Sequence, residues 1–159
     1  MTGPPGATVE IAPALTDPDW AAVRRVRQAV FVEEQGCPPD QEWDAWDAPE
    51  RRGRDAHHLL ARVGGAPAGC ARWHPTDEGR AAKLERFAVL PAFRGAGVGR
   101  ALVDRAVADA TAAGHGRLVL HAQAHLAGWY AGWGFRPVGP RFWEAGIEHV
   151  KMERTAGPA

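Results

Sequence analysis

The spacing of apolar positions divides the chain into short strands and two amphipathic helices. Thr8–Ile11 reads as a brief first strand. Asp17, Pro18 and Asp19 open a helix, with Asp17 as the capping residue and proline at the first helical position. Val23, Val26 and Val30 give that helix one apolar face, and Gly36 should end it. His58–Val63 and Ala68–Trp73 read as strands joined through Gly64 and Gly65, a hairpin signal. Leu84–Leu90 is a further strand, stopped by Pro91. Val98, Leu102, Ala106 and Ala110 recur every four residues, and Val103 and Val107 widen the stripe, so a helix is expected from Val98 to about Ala113, ended by Gly114. Arg117–His121 is a short apolar strand and His125–Trp133 a short helix closed by Gly134. Phe135–Phe142 and Ile147–Glu153 make a last pair of strands. This order predicts an α/β (α+β) domain: a mixed, mostly antiparallel sheet of six to seven strands with helices on both faces. One domain over residues 8–154 is expected, with residues 1–7 and 155–159 as flexible ends. Residues 37–55 carry no strand signal and are rich in Pro, Asp, Glu and Trp, as binding loops and mobile loops both are.

Composition narrows the function. The 159 residues are 45% hydrophobic and 24% charged, ordinary for a globular domain. Nineteen basic residues balance nineteen acidic ones, so the net charge gives no reason to coat nucleic acid or an anionic membrane. No apolar run is long enough to span a bilayer, and the N-terminus lacks a signal pattern, so a cytoplasmic protein is expected. The only two cysteines, Cys37 and Cys70, are then expected as free thiols. His121 and His125 resemble half of a metal site, but no third ligand stands at the usual spacing, and no metal is expected.

The strongest local signal is a strand followed by Arg94-Gly95-Ala96-Gly97-Val98-Gly99-Arg100 and an amphipathic helix. Glycines let backbone N–H groups converge, and a helix start adds unsatisfied donors and partial positive charge, which together suit a phosphate. Arg94 and Arg100 can add charge-assisted contacts. A nucleotide P-loop is excluded because no Lys-Ser or Lys-Thr follows the glycines. A dinucleotide fingerprint is broken by Arg100, which stands where its last glycine belongs. There remain the diphosphate of coenzyme A and a tight turn that merely joins strand to helix.

With these motifs the chain resembles the GNAT superfamily of acyl-CoA-dependent N-acyltransferases. Arg94, Gly97 and Gly99 match its R/Q-x-x-G-x-G/A loop. Tyr130, Gly134 and Phe135 match its F-Y-x-x-x-G-F signature, with Trp129 in place of the first Phe. The resemblance is nearest to an ElaA-like branch. It is carried by Val30-Phe31-Val32-Glu33-Glu34-Gln35, by Glu42, Asp44 and Asp47, by Glu85–Val89, by Ala122-Gln123, and by Gly146, Ile147, His149 and Met152. Leu126 departs from the Ala usual there.

The resemblance implies acetyl-CoA or another acyl-CoA as co-substrate and a small-molecule or peptide amine as acceptor. It places pantetheine along Phe87, Ala88 and Val89, pyrophosphate on the amides of residues 95–100, and Gln123 on the cofactor side. By family position Tyr130, the sole tyrosine, donates a proton to the leaving thiolate; as an isolated residue it could equally be core packing. Glu85 is the candidate base, expected to have a raised pKa beside a cleft, or else to pair with Arg86, Arg72 or Arg27. His121 and His149 are alternative bases. Phe31, Glu34, Trp43, Asp44, Arg72 and His121 are the candidate acceptor residues: carboxylates and indoles attract a cationic amine, although a solvated acidic loop would look the same. Two other readings stay open, a non-catalytic CoA-binding regulatory module and an enzyme like the acyl-homoserine-lactone synthases. The oligomeric state is open, a homodimer included.

Overall fold

The computed structural model describes residues 8–76 and 79–155. Eight strands form one sheet in the order β1-β2-β3-β4-β5-β8-β6, with β7 paired to β8. They are β1 (Val9–Pro13), β2 (His57–Val63), β3 (Ala66–Thr76), β4 (Ala81–Val89), β5 (Arg117–Gln123), β6 (Arg136–Pro137), β7 (Phe142–Glu144) and β8 (Ile147–Thr155). Every pairing is antiparallel except β4 with β5. The first strand of the expected last pair, Phe135–Phe142, is split into β6 and part of β7. Gly139, at φ +80°, and Pro140 interrupt it, because proline supplies no ladder N–H. Thr155 closes β8; the ends expected to be flexible otherwise lie outside the described residues.

Helix α1 (Asp17–Arg27) covers one face of the sheet, and α3 (Val98–Ala112) covers the other. The α1 cap is Thr16, whose hydroxyl accepts from the Asp19 N–H at 3.2 Å, and Asp17 is already the first helical residue. The helix then widens into a π turn, Gln28–Glu34, where Gln35 N–H donates to Val30 O at 3.0 Å. Residues 37–55 wind through the one-turn helix α2 (Pro39–Glu42) and two 3₁₀ turns. On the α3 side Leu59, Leu84, Leu102, Leu118 and Leu120 form the centre of the core. On the α1 side Val23, Val26 and Val30 pack on Leu60 and Cys70. Cys37 and Cys70 are free thiols, and burial pushes that of Cys70 up to about 12.

His58 of β2 is buried edge-on to Trp20, with ring centroids 4.7 Å apart. Burial, aided by the nearby Arg27 charge, pushes its pKa down to about 4. Between the usual imidazole value and that one, the unfolded chain binds a proton that the native ring refuses, so stability falls with falling pH through this window. Urea titrations at pH 7 and pH 5 should show a loss that His58→Phe reduces, by up to about 1.4 kcal/mol per pH unit.

Candidate active site

Strands β4 and β5 are in register only at Ala81–Lys83 against Arg117–Val119, yet β4 runs on to Val89 and β5 to Gln123. The pairing stops there, and the two strand edges flank a cavity of about 190 Å³. Its walls come from Leu84–Phe87 on β4 and from Leu120, His121 and Gln123 on β5. The π turn closes it with Phe31 and Gln35, α4 (Ala127–Tyr130) with Tyr130, and the β7–β8 turn with Glu144 and Ala145. On its far edge β4 is bulged. Arg72 pairs with Glu85 and Cys70 with Ala88, so Arg86 and Phe87 together face Ala71. Arg86 takes φ +59° there, a left-handed conformation that a non-glycine residue holds only when its surroundings fix it.

Tyr130 is 6% exposed and packs near Phe87, Trp129 and Phe135, with centroids 5.0–6.4 Å away. Burial raises its pKa above the ordinary phenol value, so the hydroxyl stays protonated at neutral pH and is available as a donor.

Beyond Val89 the chain makes a 3₁₀ turn, Pro91–Phe93, and then the glycine turn. Gly95 and Gly97 sit at φ +85° and +82°, and a Cβ on either would meet no atom within 4 Å. Backbone conformation, and no neighbouring side chain, is what calls for glycine there. Gly97 precedes α3, whose first backbone bond runs from Ala101 N–H to Gly97 O at 3.0 Å. The N–H groups of Val98, Gly99 and Arg100 therefore lie in the first turn, where a helix has donors to spare. Arg94 is turned back: its Nε donates to Val89 O at 3.0 Å, and its two terminal nitrogens reach the Glu34 carboxylate at 2.8 and 2.6 Å. The Arg100 guanidinium stands 5.5 Å from the Trp133 ring. Gln123 reaches the cavity and donates to the Gln35 side chain at 3.1 Å.

Several candidate acceptor residues stand elsewhere. Of the six, Phe31 and His121 line the cavity. Glu34 is at the glycine turn, paired with Arg94, and Trp43 is beneath the guanidinium groups of Arg24 and Arg27, 4.9 and 4.5 Å away. Arg72 is fully buried and hydrogen-bonds Asp44 at 2.8 Å, Asp47 at 2.9 Å and the Glu85 carboxylate. Arg27, also fully buried, bonds Glu42 and Asp47 at 2.6 Å. The acidic loop thus folds inward onto two buried arginines, because each such cation needs anions around it.

The raised pKa expected at Glu85 is not found. Burial alone would raise it, but the His74 hydrogen bond at 2.9 Å and the Arg72, Arg86 and Lys83 charges outweigh burial. Its carboxyl is held well below the usual carboxylate range. No site role was assigned from sequence to Glu144, Lys83 or Gln35, all of which line the cavity. The one available sign of Glu144 was Gly146 two residues on, which marks a tight hairpin.

A family model described as acetyltransferase (GNAT) domain matches residues 33–156. The Escherichia coli protein ElaA is 33% identical over 135 residues, covering 84% of this chain and 85% of its own length. The crystal structure of ElaA superposes with a TM-score of 0.79 at 30% identity, covering 93% of this chain and 99% of that one. An acyl-CoA N-acyltransferase from Pseudomonas aeruginosa superposes with a TM-score of 0.80 at 31% identity, covering 94% and 100%. A GNAT family acetyltransferase from Brucella melitensis, solved in complex with acetyl-CoA, shares the fold, with a TM-score of 0.72 at 22% identity and coverage of 95% and 90%. The strand gap, glycine turn and buried phenol thus occur in a chain that belongs to the GNAT acetyltransferase family, in its ElaA-like branch.

Proposed function

We propose that the chain transfers an acetyl or short acyl group from acyl-CoA to a primary amine by direct attack of the amine on the thioester. The observation that carries this reading is the unpaired stretch of β4 beside β5, with the glycine turn at one end and the Tyr130 phenol at the cavity wall. An extended pantetheine arm fits along Phe87, Ala88 and Val89 as an added strand would, because that edge lacks a β5 partner. The diphosphate would rest on the N–H groups of residues 95–100, with Arg100 adding charge. Gln123, across the gap, borders the arm. The Brucella relative solved with acetyl-CoA supports the choice of donor.

In this reading the amine lone pair forms the C–N bond at the thioester carbon. The C–S bond then breaks, its electron pair staying on sulfur, and Tyr130 supplies the proton that turns the thiolate into a thiol. One nitrogen proton replaces the phenolic one and the other stays on the amide nitrogen; an amine that arrives as ammonium loses its extra proton to solvent before attack. Glu85 serves as an anchored anion in the β4 wall: a carboxylate so stabilised as an anion takes protons poorly.

Amine-dependent release of CoA thiol from acetyl-CoA tests the reaction. Release that rises with amine concentration is expected. CoA binding with no release from any primary amine would leave a non-catalytic module. Gly97→Val tests the turn. Forcing a β-branched residue to φ +82° costs about 1–3 kcal/mol, so calorimetric affinity for CoA should fall by about 10- to 100-fold. Unchanged affinity would remove the diphosphate from this turn.

A further inference from the structure

We infer that Glu144 and His121 form the station that receives the acceptor amine and takes its proton. This rests on the transfer reaction proposed above and supplies the base that Glu85 does not.

Placement comes first. On β5, Leu120 and Ala122 pack into the α3-side core, so His121 between them faces the opposite side of the sheet. It also lies beyond Val119, the last β5 residue in register with β4, and it lines the cavity. Glu144 ends β7 and pairs with Ile147 across a two-residue turn, Ala145 at φ +52° and Gly146 at φ +79°. Two successive left-handed residues make a type I′ hairpin, which usually carries Asn, Asp or Gly first. Alanine bears the conformational cost there, about 1–2 kcal/mol. The turn brings Glu144 and Ala145 to the cavity wall.

The side chains then make a recognisable proton-transfer unit. His121 Nδ1 lies 3.4 Å from Glu144 Oε1. A carboxylate at Nδ1 favours the tautomer with the proton on that nitrogen and leaves the Nε2 lone pair as the base. Phe142 sits edge-on to the His121 ring at 5.1 Å and limits its rotation. His149 borders the same carboxylate from the other side: its Nδ1 donates to Ile147 O at 2.7 Å, and its Nε2 lies 3.7 Å from Glu144 Oε2.

Charge distinguishes Glu144 from the other cavity carboxylates. Glu42 is tied to Arg27 and Arg86, and Glu85 to Arg72 and Arg86. The close partners of Glu144 are histidines, and its carboxylate is half exposed. An incoming ammonium group therefore meets an anion not already held by arginine. The His121 hydrogen bond keeps that carboxyl below its usual range, so it stays anionic at neutral pH.

The proton balance is simple. The ammonium, held at Glu144, gives one proton to His121 Nε2, which passes it to solvent. The neutral amine then attacks, and the second nitrogen proton replaces the one Tyr130 gives to sulfur. The charged and titratable groups around this pair are Lys83 of β4, His149 and Lys151 of β8, Cys37 after the π turn, Tyr130 of α4, and Glu42, Glu85 and Arg86 at the other cavity walls.

The test uses acetyl-CoA with two primary amines, benzylamine and trifluoroethylamine; the second is largely unprotonated at neutral pH. For His121→Gln, kcat/KM with benzylamine should fall about 100-fold at pH 7, and the rising limb of the pH profile should move to higher pH. The deficit should largely vanish with trifluoroethylamine, which needs no base before attack, whereas a packing defect would slow both amines alike. Glu144→Gln should raise KM for benzylamine more than for trifluoroethylamine. Acetyl-CoA affinity should be unchanged in both variants. An unaltered pH profile in His121→Gln, or equal losses with both amines, overturns the station while leaving the transfer reaction intact. Wild-type protein that binds CoA but acetylates neither amine, nor any other, overturns both.

Discussion

Tyr130→Phe is expected to lower kcat by about 1,000-fold while leaving affinity for acetyl-CoA nearly unchanged. The ring keeps its contacts with Phe87, Trp129 and Phe135, so the aromatic packing beside the cavity survives. Only the hydroxyl is lost, and with it the donor proposed for the departing sulfur. Because burial holds the phenol pKa above its ordinary value, the wild-type rate should show no decline from Tyr130 ionisation up to about pH 10. Stopped-flow or steady-state thiol release, set beside calorimetry with acetyl-CoA, separates the two parameters. A variant with full kcat would make Tyr130 a packing residue.

Arg72→Leu is expected to cost about 3–5 kcal/mol of folding stability at neutral pH. The guanidinium is fully buried and bonds Asp44, Asp47 and Glu85 at once. Removing it leaves carboxylates, 9–11% exposed at Asp47 and Glu85, facing one another with fewer cations. The sign with pH follows from Glu85. Its pKa is depressed in the native protein, so its pairing contributes fully above the unfolded value and is lost progressively as pH falls from there toward the much lower native value. In the variant that depression is weakened, so the gap between variant and wild type should narrow below about pH 4. Arg72→Lys should recover only part of the loss, since one ammonium cannot reproduce the forked contacts to Asp44 and Glu85. Denaturant midpoints at pH 7 and pH 3.5 read both effects. Equal stability of Arg72→Leu and wild type at pH 7 would mean that the buried pairs only offset their own desolvation.

Much of the architecture was legible because it rests on local rules. The four-residue stripe from Val98 to Ala110 does cover one sheet face, with Leu102, Val103, Ala106 and Ala110 fully buried. Gly97 and Gly134 do take left-handed conformations at a helix start and a helix end. What the sequence hid depends on long-range partners or on conformations with no residue signature. The left-handed bulge at β4 is occupied by arginine and the left-handed first turn position before β8 by alanine, neither a residue that advertises positive φ. The π turn looks like ordinary helix in its apolar spacing. The charges of residues 40–47 suggest an outward-facing loop; only the fold shows that Arg27 and Arg72, far away in sequence, draw them inward. Glu85 was read as a base with a raised pKa or else as a partner of Arg86, Arg72 or Arg27; it pairs with Arg72 and Arg86, and only the His74 hydrogen bond, made from a neighbouring strand, had no sign in the sequence.

Hydrogen–deuterium exchange with and without acetyl-CoA bears most directly on the central claim that the donor lies in the β4–β5 gap with its diphosphate on the glycine turn. Slower exchange is expected at the amides of residues 95–101 and along residues 85–89, with the turn protection reduced in Gly97→Val. Binding that leaves both segments unprotected, or protects a different surface, would contradict it.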